Sequence, residues 1–141
     1  MPHTLTFESL QIYQTGKIGI NIPIRLLHGS QLIDVDAKLD TGSTFCVFER
    51  LIGEDLGFDI ESGMPEQIGT PLGAFAAFGH FVTLVVQGRE CEVVVYFAEN
   101  PAFNRNVLGR VGFLDRVLIG LNDYAGRLYL GRLDADEQDQ E

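Results

Sequence analysis

Tryptophan is absent from the 141 residues, and cysteine occurs twice, as Cys46 and Cys91. No Cys-X-X-Cys pair is present, and His3, His28 and His80 stand far apart, so the residues of a zinc site never gather at ligand spacing. No metal or other cofactor is expected. Each cysteine lies among apolar neighbours in a strand-like stretch, where a buried free thiol is the expected state, and the histidines are expected at the surface or in turns. Cations are scarce: ten Lys and Arg against twenty Asp and Glu give a formal net charge of -10. Such a chain repels a phosphate backbone and offers no basic stripe, which argues against a nucleic-acid partner. No apolar run reaches the roughly eighteen residues of a membrane span. The opening "MPHTLTFESLQIY" lacks a basic start leading into an apolar stretch, so no secretory leader is expected and a cytoplasmic location is.

What is present reads as an all-β chain. Hydrophobic residues make up 45% and charged residues 21%, ordinary globular usage, and one domain of this length hides about two-thirds of the surface its unfolded form exposes. Short runs of Ile, Val, Leu, Phe and Thr recur between Gly, Pro, Asn and Ser. In "GKIGINIPIRLL" (16–27) Ile18, Ile20, Ile22 and Ile24 alternate onto one face, and "HGSQ" (28–31) turns the chain into "LIDVDAKL". "FERLIGEDLGF" (48–58) breaks the rhythm: Phe48, Leu51, Ile52 and Leu56 follow helical spacing, with Gly57 as the stop. A second hairpin, "AAFGHFVTLVVQGRECEVVVYFA", turns at "QGRE" (87–90). A strand start and a short helical turn are expected in 106–117, then strand, turn and strand in 118–131. The domain is expected over 1–133, with "DADEQDQE" (134–141) as a disordered acidic tail.

The chemistry is concentrated in "VDAKLDTGSTFC" (35–46). Ile33, Val35, Ala37 and Leu39 alternate with Asp34, Asp36, Lys38 and Asp40, so a half-buried strand accounts for the first polar positions as its wet face. Asp40 stands where that strand ends, and Gly42 frees the following turn from a Cβ. A calcium loop fails, because counting from Asp34 puts Lys38, Leu39 and Phe45 where an acidic or amide side chain, glycine and glutamate are needed. An aspartate that merely caps its own turn remains an open account of Asp40 alone.

"LDTGS" after a β run resembles the active-site loop of aspartic proteases. "NVLGRVGFLDRV" further on resembles their second element, an apolar pair and a glycine leading into a short helix, here Val107, Leu108, Gly109 and Arg110. A single DTG, with this partner element downstream, resembles the retropepsin-like branch, and most of the chain, from about Ile18 to Leu130, follows its order. The resemblance implies a closed β-barrel with one or two short helices, a flap hairpin, and a homodimer whose subunits each supply one aspartate. Asp40 would be catalytic, with Thr41, Gly42, Ser43, Leu108, Gly109 and Arg110 in support. Thr41 would brace the two loops across the axis, and Gly42 and Ser43 would hydrogen-bond the carboxylates. "IGTPLGAFAA" (68–77) stands in the flap position, so Gly69, Thr70, Pro71, Leu72, Gly73 and Ala74 would close on an extended peptide or protein substrate.

Hydrogen bonds to the charged form of the paired carboxylates would keep the pair acidic, so an acid optimum is expected. The terminal segments "HTLTF" (3–7) and "GRLYLGRL" (126–133) would form the dimer interface, and Phe75, Phe78, Val107 or Leu108 would make the pockets apolar. Two departures stand out: Thr44 and Phe45 replace the aspartate that the Arg110 position contacts in retroviral enzymes, and the flap lacks their run of glycines. The ending "GLNDYAGRLYLG" is closer to cellular and bacterial members. Two rival readings remain, a non-catalytic dimerisation or peptide-binding scaffold on the same fold, and a half-site completed by a different partner.

Overall fold

A computed structural model of the chain describes residues 1–134. The expected acidic tail lies, apart from Asp134, outside the described residues. Alternating apolar residues set the first strands: β1 (Ser9–Ile12), then the hairpin of β2 (Ile20–His28) and β3 (Gln31–Leu39), joined by Gly29 and Ser30. A two-residue strand, β4 (Val47–Phe48), leads into helix α1 (Arg50–Asp55), and a 3-10 turn follows at Ile60–Ser62. The long strands are β5 (Met64–Thr70), β6 (Gly73–Val86) and β7 (Arg89–Ala98), consecutive antiparallel neighbours. β8 (Val107–Leu108), a 3-10 turn at Leu114–Arg116, β9 (Leu118–Asn122) and β10 (Arg127–Gly131) complete the described chain.

The main sheet runs β2-β3-β8-β4-β7-β6 and returns on itself, because Arg25, Leu26 and Leu27 of β2 pair with Val85, Leu84 and Thr83 of β6. The closed β architecture expected of the chain takes the form of this ring. β3–β8 and β4–β7 are its parallel pairs, so the two shortest strands sit side by side at its centre. Inside the ring Ile22, Leu26, Phe48, Leu56, Ile60, Val93, Val95, Phe97 and Leu108 are fully buried. Each such side chain contributes about 1.5–3 kcal/mol by leaving water. Helix α1 lies close on β7 because Gly53 has no side chain: a Cβ there would come within 2.6 Å of Ile60 and 2.7 Å of Phe97.

The termini form a separate sheet, β1-β10-β9. Leu128 and Leu130 turn one face of β10 into the core, while Phe7 packs across the other face against Tyr129, ring centres 5.8 Å apart. β10 is bonded on both sides within the chain. An interface built from 3–7 and 126–133 therefore has to use outer edges and faces, since the edges of β10 itself are taken.

Several expectations are corrected. Ile18 is almost fully exposed ahead of β2, leaving Ile22 and Ile24 as the buried pair of that stripe. Phe48 belongs to β4, and Leu51 points to solvent, so the helix buries Ile52 and Gly53. His80 is a core residue, its Nε2 3.0 Å from the Ile60 carbonyl oxygen and its ring beside Phe58. A paired ring nitrogen is what makes an imidazole tolerable there.

Candidate active site

β3 carries Asp40 to the middle of the ring, and two loops fix it there. The Asp40 amide donates to the Leu108 carbonyl oxygen at 3.0 Å, continuing the parallel β3–β8 pairing by one residue. The chain then turns tightly: the Ser43 amide donates to the Asp40 carbonyl oxygen at 3.2 Å, and the Gly42 amide donates to the Asp40 side chain, Oδ1, at 2.9 Å. A Cβ on Gly42 would sit 3.3 Å from that same Oδ1, so the small residue lets the amide reach the carboxylate without crowding it.

The second loop crosses the first. Arg110 and Val111 donate their amides to the carbonyl oxygens of Ser43 and Thr44, at 2.9 and 2.8 Å. Gly109 lies beneath the crossing, where a Cβ would press on the Phe45 carbonyl oxygen and stand 2.7 Å from that of Ser43. Its amide donates to Cys46 Sγ at 3.3 Å. Cys46 is fully buried, and burial pushes its thiol up to about 11.

Over this platform leans the hairpin of β5 and β6, whose tip is Pro71 and Leu72. Thr70 Oγ1 donates to the Gly73 carbonyl oxygen at 2.9 Å and accepts from the Leu72 amide at 3.3 Å. Gly73 closes the turn at φ +137, a backbone region that side chains avoid. Between loop and hairpin lies a cleft of about 250 Å³, lined by Asp40, Gly42 and Ser43 below, Ile68 to Pro71 above, and Val47, Phe75, Phe103, Arg105 and Val107. An apolar cluster adjoins it, in which Phe75 and Phe103 pair at 4.9 Å and Phe45 meets Tyr96 at 4.8 Å. Burial, and then the Glu66 carboxylate, pushes the Tyr96 phenol up. A larger depression of about 550 Å³ crosses β2 and β3, where Arg25 and Asp34 are exposed and satisfy each other.

The residues singled out from the sequence fall into three groups. Asp40, Gly42, Ser43, Gly69, Thr70 and Pro71 meet in the cleft. Leu108 and Gly109 are buried behind it and act through their backbones. Thr41, Leu72, Gly73, Ala74 and Arg110 are exposed and do not line it. The Ser43 hydroxyl, expected on the carboxylate, donates to the Phe45 carbonyl oxygen at 2.7 Å instead. The guanidinium of Arg110 is exposed and has no hydrogen-bond or ion-pair partner among the described residues. Of the four proposed pocket residues, Phe75 and Val107 line the cleft, while Phe78 and Leu108 pack in or against the main core. Phe103 and Arg105 were missed. Their one signal is position, just ahead of "NVLG". Among the described residues no group of three His, Cys, Asp or Glu side chains is placed to hold a metal ion.

No protein-family model matches the chain, and no curated protein matches it in sequence. Solved structures are similar to it. A retropepsin-like aspartic protease from Rickettsia conorii superposes with a TM-score of 0.63 at 16% identity, over 86% of this chain and 97% of that one. EIAV protease complexed with the inhibitor HBY-793 aligns at 22% identity with a TM-score of 0.49, over 64% of this chain and 80% of its own. The superposition on the Rickettsia conorii structure shows the retropepsin-like aspartic protease fold.

Proposed function

We propose that this chain is an aspartic endopeptidase that works as a homodimer, with Asp40 of each subunit forming one half of the catalytic pair. One observation carries the reading: Asp40, held by the Gly42 amide, faces a cleft roofed by the β5–β6 hairpin. Among the described residues lining that cleft it is the one carboxylate. Peptide hydrolysis needs a base and an acid at once, and two carboxylates sharing a proton supply both. A two-fold axis between the loops brings identical residues face to face, so a second copy is the natural source of the missing group.

In the reaction the ionised carboxylate takes a proton from water, whose oxygen attacks the carbonyl carbon. The protonated carboxylate gives its proton to the carbonyl oxygen. The resulting diol collapses as a proton passes to the amide nitrogen, the C–N bond breaks, and an acid and an amine leave. Gly42 and Thr41 follow Asp40 on a turn tight enough to keep its carboxylate directed into the cleft.

The hairpin fits the role of a flap. β5 is the outermost strand of its sheet, so its free edge can bond an extended peptide backbone, with Ile68 and Phe75 offering apolar contact. Closing it would exclude water and strengthen the charges beneath. The free thiols Cys46 and Cys91 suit a reducing compartment such as the cytoplasm.

Asp40→Asn tests the proposal. The variant is expected to lose cleavage of a denatured protein while keeping the circular dichroism and sedimentation of the parent dimer. Equal cleavage by variant and parent, or a parent that sediments as a monomer while active, would overturn it.

A further inference from the structure

The cleft holds one cation that the hydrolytic chemistry leaves unused. Arg105 lies in the loop between β7 and β8, two residues before Val107, and lines the cleft together with Asp40, Phe75 and Phe103. Arg25, Arg50, Arg89, Arg116 and Arg132 each reach a carboxylate within the chain, and of the arginines without one among the described residues Arg105 is the one that lines the cleft. Arg105 is exposed and has no hydrogen-bond or ion-pair partner among the described residues, Asp40 included. In a chain with twenty acidic and ten basic residues, an arginine unmatched beside the reacting group stands against the prevailing charge. Phe75 and Phe103 line the same cleft, so a carboxylate that enters it meets one cation among apolar side chains.

We infer that Arg105 is a specificity-determining residue, selecting extended peptides that carry an Asp or Glu side chain next to the bond to be cut. The inference rests on the endopeptidase reading and names its substrate class. A guanidinium at a cleft edge meets a carboxylate through two parallel N–H···O bonds, a geometry that a neutral amide side chain cannot match and a lysine side chain opposes. The two-fold axis places a second Arg105 on the far side of the paired aspartates. The preferred peptide is therefore acidic on both sides of the scissile bond, with apolar residues further out against Ile68, Phe75 and Phe103.

The test compares the parent, Arg105→Gln, Arg105→Glu and Asp40→Asn on one denatured protein mixture, with cleavage sites mapped by mass spectrometry. Asp and Glu should be enriched beside the parent's cleavage sites over Asn and Gln by about fivefold, the scale of a partly exposed ion pair. Arg105→Gln should erase the enrichment and Arg105→Glu should turn it toward Lys and Arg, with circular dichroism unchanged in both. A parent profile without acidic enrichment, or one that Arg105→Glu leaves intact, overturns the inference while leaving the endopeptidase standing. If the parent cuts no more than Asp40→Asn does, the endopeptidase reading falls first. Binding of short fluorescein-labelled Ala/Leu peptides with a central Glu, Gln or Lys to the Asp40→Asn chain then decides. Glu should bind about fivefold tighter than Gln and lose that margin in the double variant with Arg105→Glu. Equal binding of the Glu and Gln peptides overturns the selectivity.

Discussion

Gly109→Ala probes the crossing of the two loops with one methyl group. Gly109 is buried, and its backbone lies outside the left-handed region, so alanine can adopt its conformation. The loss is one of space. Ordinary contact with a Cβ begins near 3.4 Å, so the Ser43 carbonyl oxygen would have to retreat by about 0.7 Å, and that of Phe45 further. Both belong to backbone, which cannot swing aside as a side chain would. Overpacking of this kind costs about 1–3 kcal/mol. Moving Ser43 also strains its bond from the Arg110 amide, and shifting the 107–111 loop weakens the Leu108 bond that anchors Asp40, at about 1 kcal/mol for each bond lost.

A destabilisation of about 3–4 kcal/mol follows, or a fall in Tm of roughly 10 °C for a chain of this size. Urea denaturation followed by far-ultraviolet circular dichroism measures it. Activity should fall further than stability alone requires, because the displaced bonds position the Asp40 carboxylate. Gly29→Ala is the control: φ is +58 there with nothing within 4 Å of the added carbon, so it costs only about 1 kcal/mol of backbone conformation and leaves the site alone. If Gly109→Ala stays within 1 kcal/mol of the parent, in the same range as the control, and keeps parental activity, the argument from crowding is wrong.

The Cys46 thiol, raised from 9.0 to about 11 mainly by burial, makes stability fall at high pH. Below about pH 9 it is protonated folded and unfolded; between about 9 and 11 the unfolded chain releases a proton that the folded chain retains, which takes away up to about 3 kcal/mol. Cys46→Ser should flatten that part of the stability curve, and parallel curves for parent and variant would count against the assignment. Phe103→Ala removes the ring that pairs with Phe75 beneath the hairpin, and should cost about 1–2 kcal/mol and raise KM more than it lowers kcat. A parental KM would show that the loop before β8 does not shape the cleft.

Much of the local structure is readable from neighbours in sequence. Alternation of Ile22 and Ile24 with polar residues specifies the buried face of β2, Gly29 and Gly88 mark hairpin turns, and Gly57 closes the helix. The strand-terminal Asp40 followed by Gly42 likewise announces a turn in which an amide can meet the carboxylate. These features depend on spacings of a few residues, where sterics and periodicity act directly.

Periodicity says which face of a strand is apolar but not which strand it meets. Two-residue strands such as β4 and β8 carry no period at all, and they exist because their partners β3 and β7 bracket them. Ring closure joins Arg25–Leu27 to Thr83–Val85 across more than fifty residues of chain, which loop-closure entropy opposes and only the shared core repays. The same collective packing puts His80 inside, leaves Ile18 outside, turns the Ser43 hydroxyl onto Phe45, and brings Phe103 and Arg105 beside Asp40. The sequence alone determined the strand faces, the turns and the carboxylate at a strand end. Tertiary structure decided which distant side chains surround that carboxylate, because such contacts are selected by the energy of the whole core and not by any local run of residues.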